Sequence, residues 1–295
     1  MVGQSDRRGI GYALAATLFF ATAGPVARLA GAGGVSPIAI AFWRVGLGAG
    51  LIGLLAVATG RPPLVKPARI PALLGYGAVL GLHFYAYIGS LFATSLDHAL
   101  VLVNTAPLWA VGLSWLWLRE PFPRSKLPGL GLAVVGTALL VGFDPAAPAA
   151  HLRGDLLGLG AALAYAAYAV LGRRERTRYP LLTYAFWVYL GAALTLFVIS
   201  PAATVGAPPP RGAWPQLFLL ALLPTTIGHT LFNLAVRHAH AATANLIATQ
   251  EVSGGMILGW LLLGEAPGAT ALVAWPLVLA GIGWVIISPR RGVFR

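Results

Sequence analysis

The sequence predicts an all-α polytopic membrane protein, with ten transmembrane helices in two inverted five-helix repeats. Composition, the spacing of apolar runs and an internal repeat carry that expectation. Apolar residues make up 58% of the 295 residues and charged residues only 9%, where a soluble domain carries roughly 25% charged residues. Such a chain cannot cover its surface with polar groups, so most of that surface faces lipid. A helix needs about 20 apolar residues to cross a hydrocarbon core of ~30 Å. Runs of that kind fall at 10–30, 36–58, 70–92, 97–118, 126–143, 155–172, 181–200, 214–236, 241–263 and 269–288.

Each run is bounded by short breakers. Gly60-Arg61-Pro62-Pro63 closes the second, and Ala207 to Gly212, with three consecutive prolines, precedes the eighth. The connection at 144–154 divides the chain near its middle, giving a first unit of 1–145 and a second of 146–295. Asp6-Arg7-Arg8 resembles a charged leader, but the apolar run after it exceeds the 7–15 residues of a signal core, so a retained first helix is expected.

The net charge of +12 comes from 20 Lys and Arg against 8 Asp and Glu. These cations sit in clusters between apolar runs, as the positive-inside bias requires. With the N-terminus in the cytoplasm, sixteen fall on the inner side: Arg7 and Arg8, then Arg61, Lys66 and Arg69, then Arg119, Arg124 and Lys126. Arg173, Arg174, Arg176 and Arg178 follow, then Arg237 and the arginines at 290, 291 and 295. Only Arg28, Arg153 and Arg211 fall outside, so both termini are expected in the cytoplasm of a multi-pass plasma (inner) membrane protein. No basic face or nucleic-acid module is present, so nucleic acid is not an expected partner.

The halves resemble each other at an offset of about 145 residues. Ala41-Phe42-Trp43 matches Ala185-Phe186-Trp187, Trp115 to Glu120 matches Trp260 to Glu265, His83 matches His229, and Gly136 matches Gly281. Because five is odd, the second copy must enter the membrane upside down. Inverted repeats are a hallmark of secondary transporters, whose halves rock around a site near the midplane.

At these residues the chain resembles the ten-helix EamA-type exporters of the drug/metabolite transporter superfamily. The resemblance rests on Arg44 in the second span, the small residues Thr94 to Ala99, Asn104-Thr105-Ala106-Pro107 and the run Trp115 to Glu120. The second half supplies Ala239 to Ala244, Gln250-Glu251-Val252 and Trp260 to Glu265. Val188 stands where the first half has Arg44, and Val252 where many relatives have Pro. The resemblance implies a secondary transporter exporting a small organic metabolite such as an amino acid, with the fifth and tenth helices at the periphery. Nucleotide-sugar and cationic-drug carriers share the fold. A channel or a membrane-embedded enzyme is the alternative of another class.

Ionisable groups inside a bilayer are costly and mark function by default. Arg44, Glu251, His83 and His229 are the candidates, joined by the polar Tyr87, Asn104, Asn233, Asn245 and Gln250. His83 and Tyr87 are four residues apart and share a helix face, as do His229 and Asn233. Inverted symmetry turns both faces toward one central cavity. Arg44 and Glu251 have no like charge in the other half, so each needs a partner: the other, or the carboxylate and amine of a substrate. Glu251 or a histidine is the candidate proton carrier, since histidine changes charge near neutral pH. Trp109, Tyr165 and Tyr168 are aromatic candidates for the cavity wall. Pro25, Pro107, Pro224 and Pro276 are expected to interrupt their helices. Gly46–Gly50, Gly77–Gly81 and Gly255–Gly259 have spacing for close helix contact. The Gly- and Ala-rich fifth and tenth helices are the expected face of a homodimer. Glu120 and Glu265 are expected at the interface and Asp97 as a helix cap.

No phosphate-binding G-x-x-x-x-G-K-[ST] loop, cysteine or Ser/His/Asp constellation occurs, so no nucleotide cofactor, metal or enzyme activity is expected. His238 and His240 lack further ligands. The expected partners are a small-molecule substrate, the lipid bilayer and protons.

Overall fold

A computed structural model describes residues 4–94, 96–120, 122–141, 152–200, 202–264 and 270–288. The connection at 142–151, Glu265 and the arginines at 290, 291 and 295 lie outside the described residues, as do the side chains of Asp97, His98 and Arg174. Among the described residues the secondary structure is helical. The elements are α1 (Gln4–Phe20), α2 (Ala23–Ala32), α3 (Pro37–Ala58), α4 (Ile70–Ala93), α5 (Leu96–Val103), α6 (Ala106–Leu113), α7 (Leu127–Val141) and α8 (Leu152–Arg178). They continue as α9 (Leu181–Ile199), α10 (Ala202–Val205), α11 (Trp214–Leu220), α12 (Thr230–His238), α13 (Ala241–Ala248), α14 (Glu251–Leu263) and α15 (Thr270–Ile287).

Seven helical segments are long and apolar enough to cross a membrane: Arg7–Ala32, Pro37–Ala58, Pro67–Ala93, Leu152–Arg173, Leu181–Ile199, Arg211–His238 and Ala241–Leu263. They coincide with seven of the ten expected spans. The other three correspond to α5 with α6, to α7 and to α15; Ala106–Leu118 and Pro276–Ile287 are shorter apolar helices. Leu18, Leu54, Val57, Val198, Leu261 and Ile287 are well exposed, while Arg44, His83, His229 and Asn233 are buried. Polar groups inside and large apolar groups outside is the distribution that lipid, not water, selects.

Local chemistry sets the helix starts. Ser36 caps α3, its hydroxyl accepting from Ala39 N, with Pro37 in the first turn. His240 caps α13, its Nδ1 accepting from Ala242 N at 3.2 Å.

Three spans kink at a threonine. The hydroxyls of Thr22, Thr105 and Thr249 each donate to the carbonyl three residues back, on Phe19, Leu102 and Leu246, at 2.7, 2.7 and 2.6 Å. Such bonds tighten the turn and bend a helix. Pro25 and Pro107 reinforce two of them, because a proline ring displaces the carbonyl four residues earlier, here Ala21 and Val103. Thr249 bends its span without a proline, Val252 lying in α14. Pro224 sits in a π-helical segment, Ala221–His229, that joins α11 to α12. Pro276 stays inside α15.

Positions about 145 residues apart behave alike. The Thr105 and Thr249 kinks match, and Arg119 and Gly264 both end their helices with positive φ, at 54° and 75°.

Close packing follows glycine only in part. A Cβ on Gly77 would lie 2.7 Å from Gly191 Cα, and one on Gly81 2.9 Å from Ala192 O, so α4 and α9 touch backbone to backbone. Gly46, Gly50 and Gly259 have no such neighbour within 4 Å. Gly129 and Gly281 face each other across α7 and α15, and Gly136 meets Val278. Gly129, Gly136 and Gly281 are thus packed within the chain, while Gly131, Val135, Leu139, Leu279, Ala280, Trp284 and Ile287 are among the exposed residues of these two helices.

Candidate functional site

The three kinks converge. Phe20 and Ala23, Asn104, Ala106 and Pro107, and Ala248 and Glu251 all border one internal cavity. Arg44, His83, Phe84, Tyr87, Tyr165, His229 and Asn245 complete most of its wall. The first residues of α2, α6 and α14 all lie on this wall, so three helix N-termini bring partial positive charge toward it.

Glu251, in the first turn of α14, accepts from Tyr87 Oη at 2.9 Å. Arg44 is 1% exposed. Its Nε donates to Thr225 Oγ1 at 3.0 Å, that hydroxyl donates on to Leu220 O at 2.8 Å, and the guanidinium lies 4.4 Å above the Phe84 ring. Thr225 belongs to the π-helical segment, so Arg44 ties α3 to the irregular part of the eighth span. One guanidinium nitrogen, Nη1, is buried without a partner. His83 Nδ1 donates to Ala161 O at 3.0 Å, which leaves Nε2 as the acceptor of a neutral ring. Its ring stacks on Tyr165 and Tyr87, at 4.8 and 5.8 Å between centroids. His229 is boxed by Phe20, Phe84 and Tyr165, its Nδ1 buried and unpartnered, and Asn245 Oδ1 is left the same way. A buried polar atom without a partner is costly. Tyr165 Oη is a fourth, and four of them around one space mark a place where a polar ligand or water could be received.

Eight of the twelve residues singled out from sequence therefore line one cavity: Arg44, His83, Tyr87, Asn104, Tyr165, His229, Asn245 and Glu251. Four are placed elsewhere. Trp109 is 40% exposed and does not border the cavity. Gln250, the N-cap residue of α14, accepts from Ser253 Oγ at 3.4 Å and does not border the space. Asn233 and Tyr168 are drawn away by a residue that the sequence reading assigned to a cytoplasmic loop, Arg176. No ion pair joins Arg44 to Glu251 among the described residues; Glu251 is held by Tyr87 instead.

Arg176 is fully buried near the end of α8, which runs past its expected limit of 172. Its Nε donates to Asn233 Oδ1 at 2.8 Å, its Nη1 to Ala169 O at 2.7 Å and its Nη2 to Tyr168 O at 3.2 Å. Tyr168 Oη donates to the same Asn233 oxygen at 2.6 Å, and the guanidinium stacks over the Tyr168 and Tyr184 rings. Gly172, one turn before Arg176, makes the room: a Cβ there would lie 2.9 Å from Nη1. Beside this cluster, Arg173 forms an ion pair with Glu120, so the end of the fourth span is tethered to α8.

The EamA-like transporter family profile matches residues 7–142 and, a second time, 152–287. The chain belongs to the EamA-like transporter family. It is a multi-pass membrane transporter and not an enzyme. Among its EamA relatives, the threonine/homoserine exporter RhtA of Escherichia coli (strain K12) is 27% identical over 269 residues, covering 89% of this chain and 84% of that one. A probable terminal-alkyne amino-acid exporter of Streptantibioticus cattleyicolor is 27% identical, covering 85% and 89%. The uncharacterised transporter YdfC of Bacillus subtilis is 28% identical, covering 89% and 86%. One crystal structure matches the EamA chain with a TM-score of 0.73 at 18% identity, over 92% of this chain and 95% of that one, a likeness of fold.

Proposed function

We propose that the protein exports a zwitterionic small metabolite, an amino acid or close relative, by alternating access across the plasma membrane. The observation that carries the reading is the set of unmatched polar atoms around the central cavity. Arg44 Nη1 lacks an acceptor and three helix N-termini favour negative charge, which suits a carboxylate. Asn245 Oδ1 lacks a donor and Glu251 receives one donor from Tyr87, which suits an ammonium. Two relatives are named as amino-acid exporters, in keeping with this chemistry. A nucleotide sugar would need more cations than Arg44 on the wall, and a cationic drug would leave Arg44 unanswered.

Ten crossings complete the proposal, with residues 1–145 and 146–295 as inverted halves and both termini in the cytoplasm. The double match of the family profile, the paired kinks and the paired helix ends support the two halves. The excess of Lys and Arg on one side supports the orientation. The chain has no cysteine, so single cysteines in the connections, labelled from either side of the membrane, report each loop directly. Glu251 is the proposed proton carrier, exchanging its proton as substrate arrives.

Counterflow in proteoliposomes tests the reading. Internal unlabelled neutral amino acid should accelerate entry of the labelled one, while nucleotide sugars and cationic drugs should not. Glu251→Gln should abolish the response of transport to pH while the protein still folds. Normal transport with an unchanged pH response in that variant removes Glu251 from the mechanism.

A further inference from the structure

A second space opens on the side of the molecule. It lies where α3 and α8 begin and α4 and α9 end, so it sits at one membrane face. Pro37, Ile38, Phe92, Leu157 and Ile199 give it an apolar wall, Gly89 its floor and Arg153 its lip. Tyr85, Phe92 and Ile199 on its rim are 37%, 38% and 43% exposed, so the groove is open toward lipid.

Two arginines and one carboxylate stand near it. Arg153 is exposed and makes no hydrogen bond or ion pair among the described residues. The Arg28 guanidinium lies 5.8 Å from the centre of the Phe92 ring, and its Nε is buried without a partner. Asp155, two residues from Arg153, accepts from Thr94 Oγ1 at 3.0 Å. Two of the three cations that the sequence places on this face of the membrane thus flank one apolar groove. Gly89 keeps the groove deep: a Cβ there would already lie 3.2 Å from Leu157 Cδ1.

We propose that this groove is a binding site for an anionic phospholipid, one acyl chain lying along Phe92, Leu157 and Ile199 and the phosphate against Arg153 and Arg28. Apolar depth with cations only at the rim matches a lipid, whose charge and chain are separated in the same way. It does not match a zwitterionic amino acid, which has no chain to fill the apolar wall. The site is separate from the central cavity and stands whether or not the amino-acid reading holds.

Native mass spectrometry of the detergent-solubilised protein, titrated with phosphatidylglycerol or with phosphatidylcholine of the same chains, tests this. The wild type should retain phosphatidylglycerol preferentially. Arg153→Ala should weaken that retention about fivefold and leave phosphatidylcholine unchanged. Gly89→Leu, which fills the groove and leaves both arginines in place, should weaken both lipids. Melting temperatures near wild type show that the variants fold. Equal retention of the two lipids by the wild type overturns the proposal, as does unchanged phosphatidylglycerol retention in both variants. Slowed counterflow in those variants with lipid retention unchanged also overturns it, since the groove would then be a side entrance for substrate.

Discussion

Asn233 is the acceptor on which two buried donors depend, and its replacement by alanine gives the sharpest stability prediction. In Asn233→Ala, Tyr168 Oη and Arg176 Nε both lose their acceptor, and neither is replaced by water in a site where Asn233 and Arg176 are fully buried. An unsatisfied buried hydroxyl costs about 1–3 kcal/mol, and a charged donor more. Arg176 keeps its bonds to the carbonyls of Ala169 and Tyr168, which limits its share. The sum is about 3 kcal/mol. At roughly 2–4 °C per kcal/mol, the melting temperature should fall by about 6–12 °C. Thermal unfolding in detergent, followed by intrinsic fluorescence, measures it. Asn233→Asp keeps both acceptor bonds and places a carboxylate beside the guanidinium, so it should stay within about 2 °C of wild type. A fall below 2 °C for the alanine variant, or an equal fall for the aspartate variant, refutes the reasoning.

Packing and backbone geometry give further expectations. Gly77→Val should cost about 1–3 kcal/mol by forcing α4 from α9, while Gly46→Ala, with open space around it, should stabilise by up to about 1 kcal/mol; paired thermal unfolding curves check both. Arg119→Gly should raise stability by about 0.5–1 kcal/mol because a left-handed residue is relieved of its Cβ, and Gly264→Ala should lower it by about 1 kcal/mol. Thr249→Val removes the hydroxyl that bends the ninth span without help from a proline, so counterflow should slow severalfold with the fold intact, whereas Thr59→Val, outside any kink, should leave transport unchanged.

Much of this was legible in the sequence, for physical reasons that particular residues show. The seven long apolar segments follow from hydropathy, because lipid demands an unbroken apolar run whatever the tertiary contacts. His83, Tyr87, His229 and Glu251 were found because a polar group in such a run has few reasons to be there. Arg176 was missed because a cation after Arg173 and Arg174 reads as loop charge. Its burial depends on Asn233, Tyr168 and Tyr184, distant partners that no local pattern announces. Asn233 was then assigned to the cavity on helix spacing alone, although Arg176 and Tyr168 claim its only acceptor. Trp109 was misplaced because it was chosen for its aromatic ring alone, and a ring of that kind serves equally well at the lipid-facing side, where it is 40% exposed. The glycine pairs show the same limit: spacing marks where helices are able to approach, and only Gly77–Gly81 meets a backbone at both positions.

The central claim is that the cavity recognises both ends of a zwitterion, Arg44 and the helix N-termini answering a carboxylate and Glu251 an ammonium. Counterflow by the purified protein should therefore be driven by a neutral amino acid and by neither its carboxamide nor its N-acetyl derivative, each of which removes one charge. Equal acceleration by the amino acid and either derivative would contradict the claim.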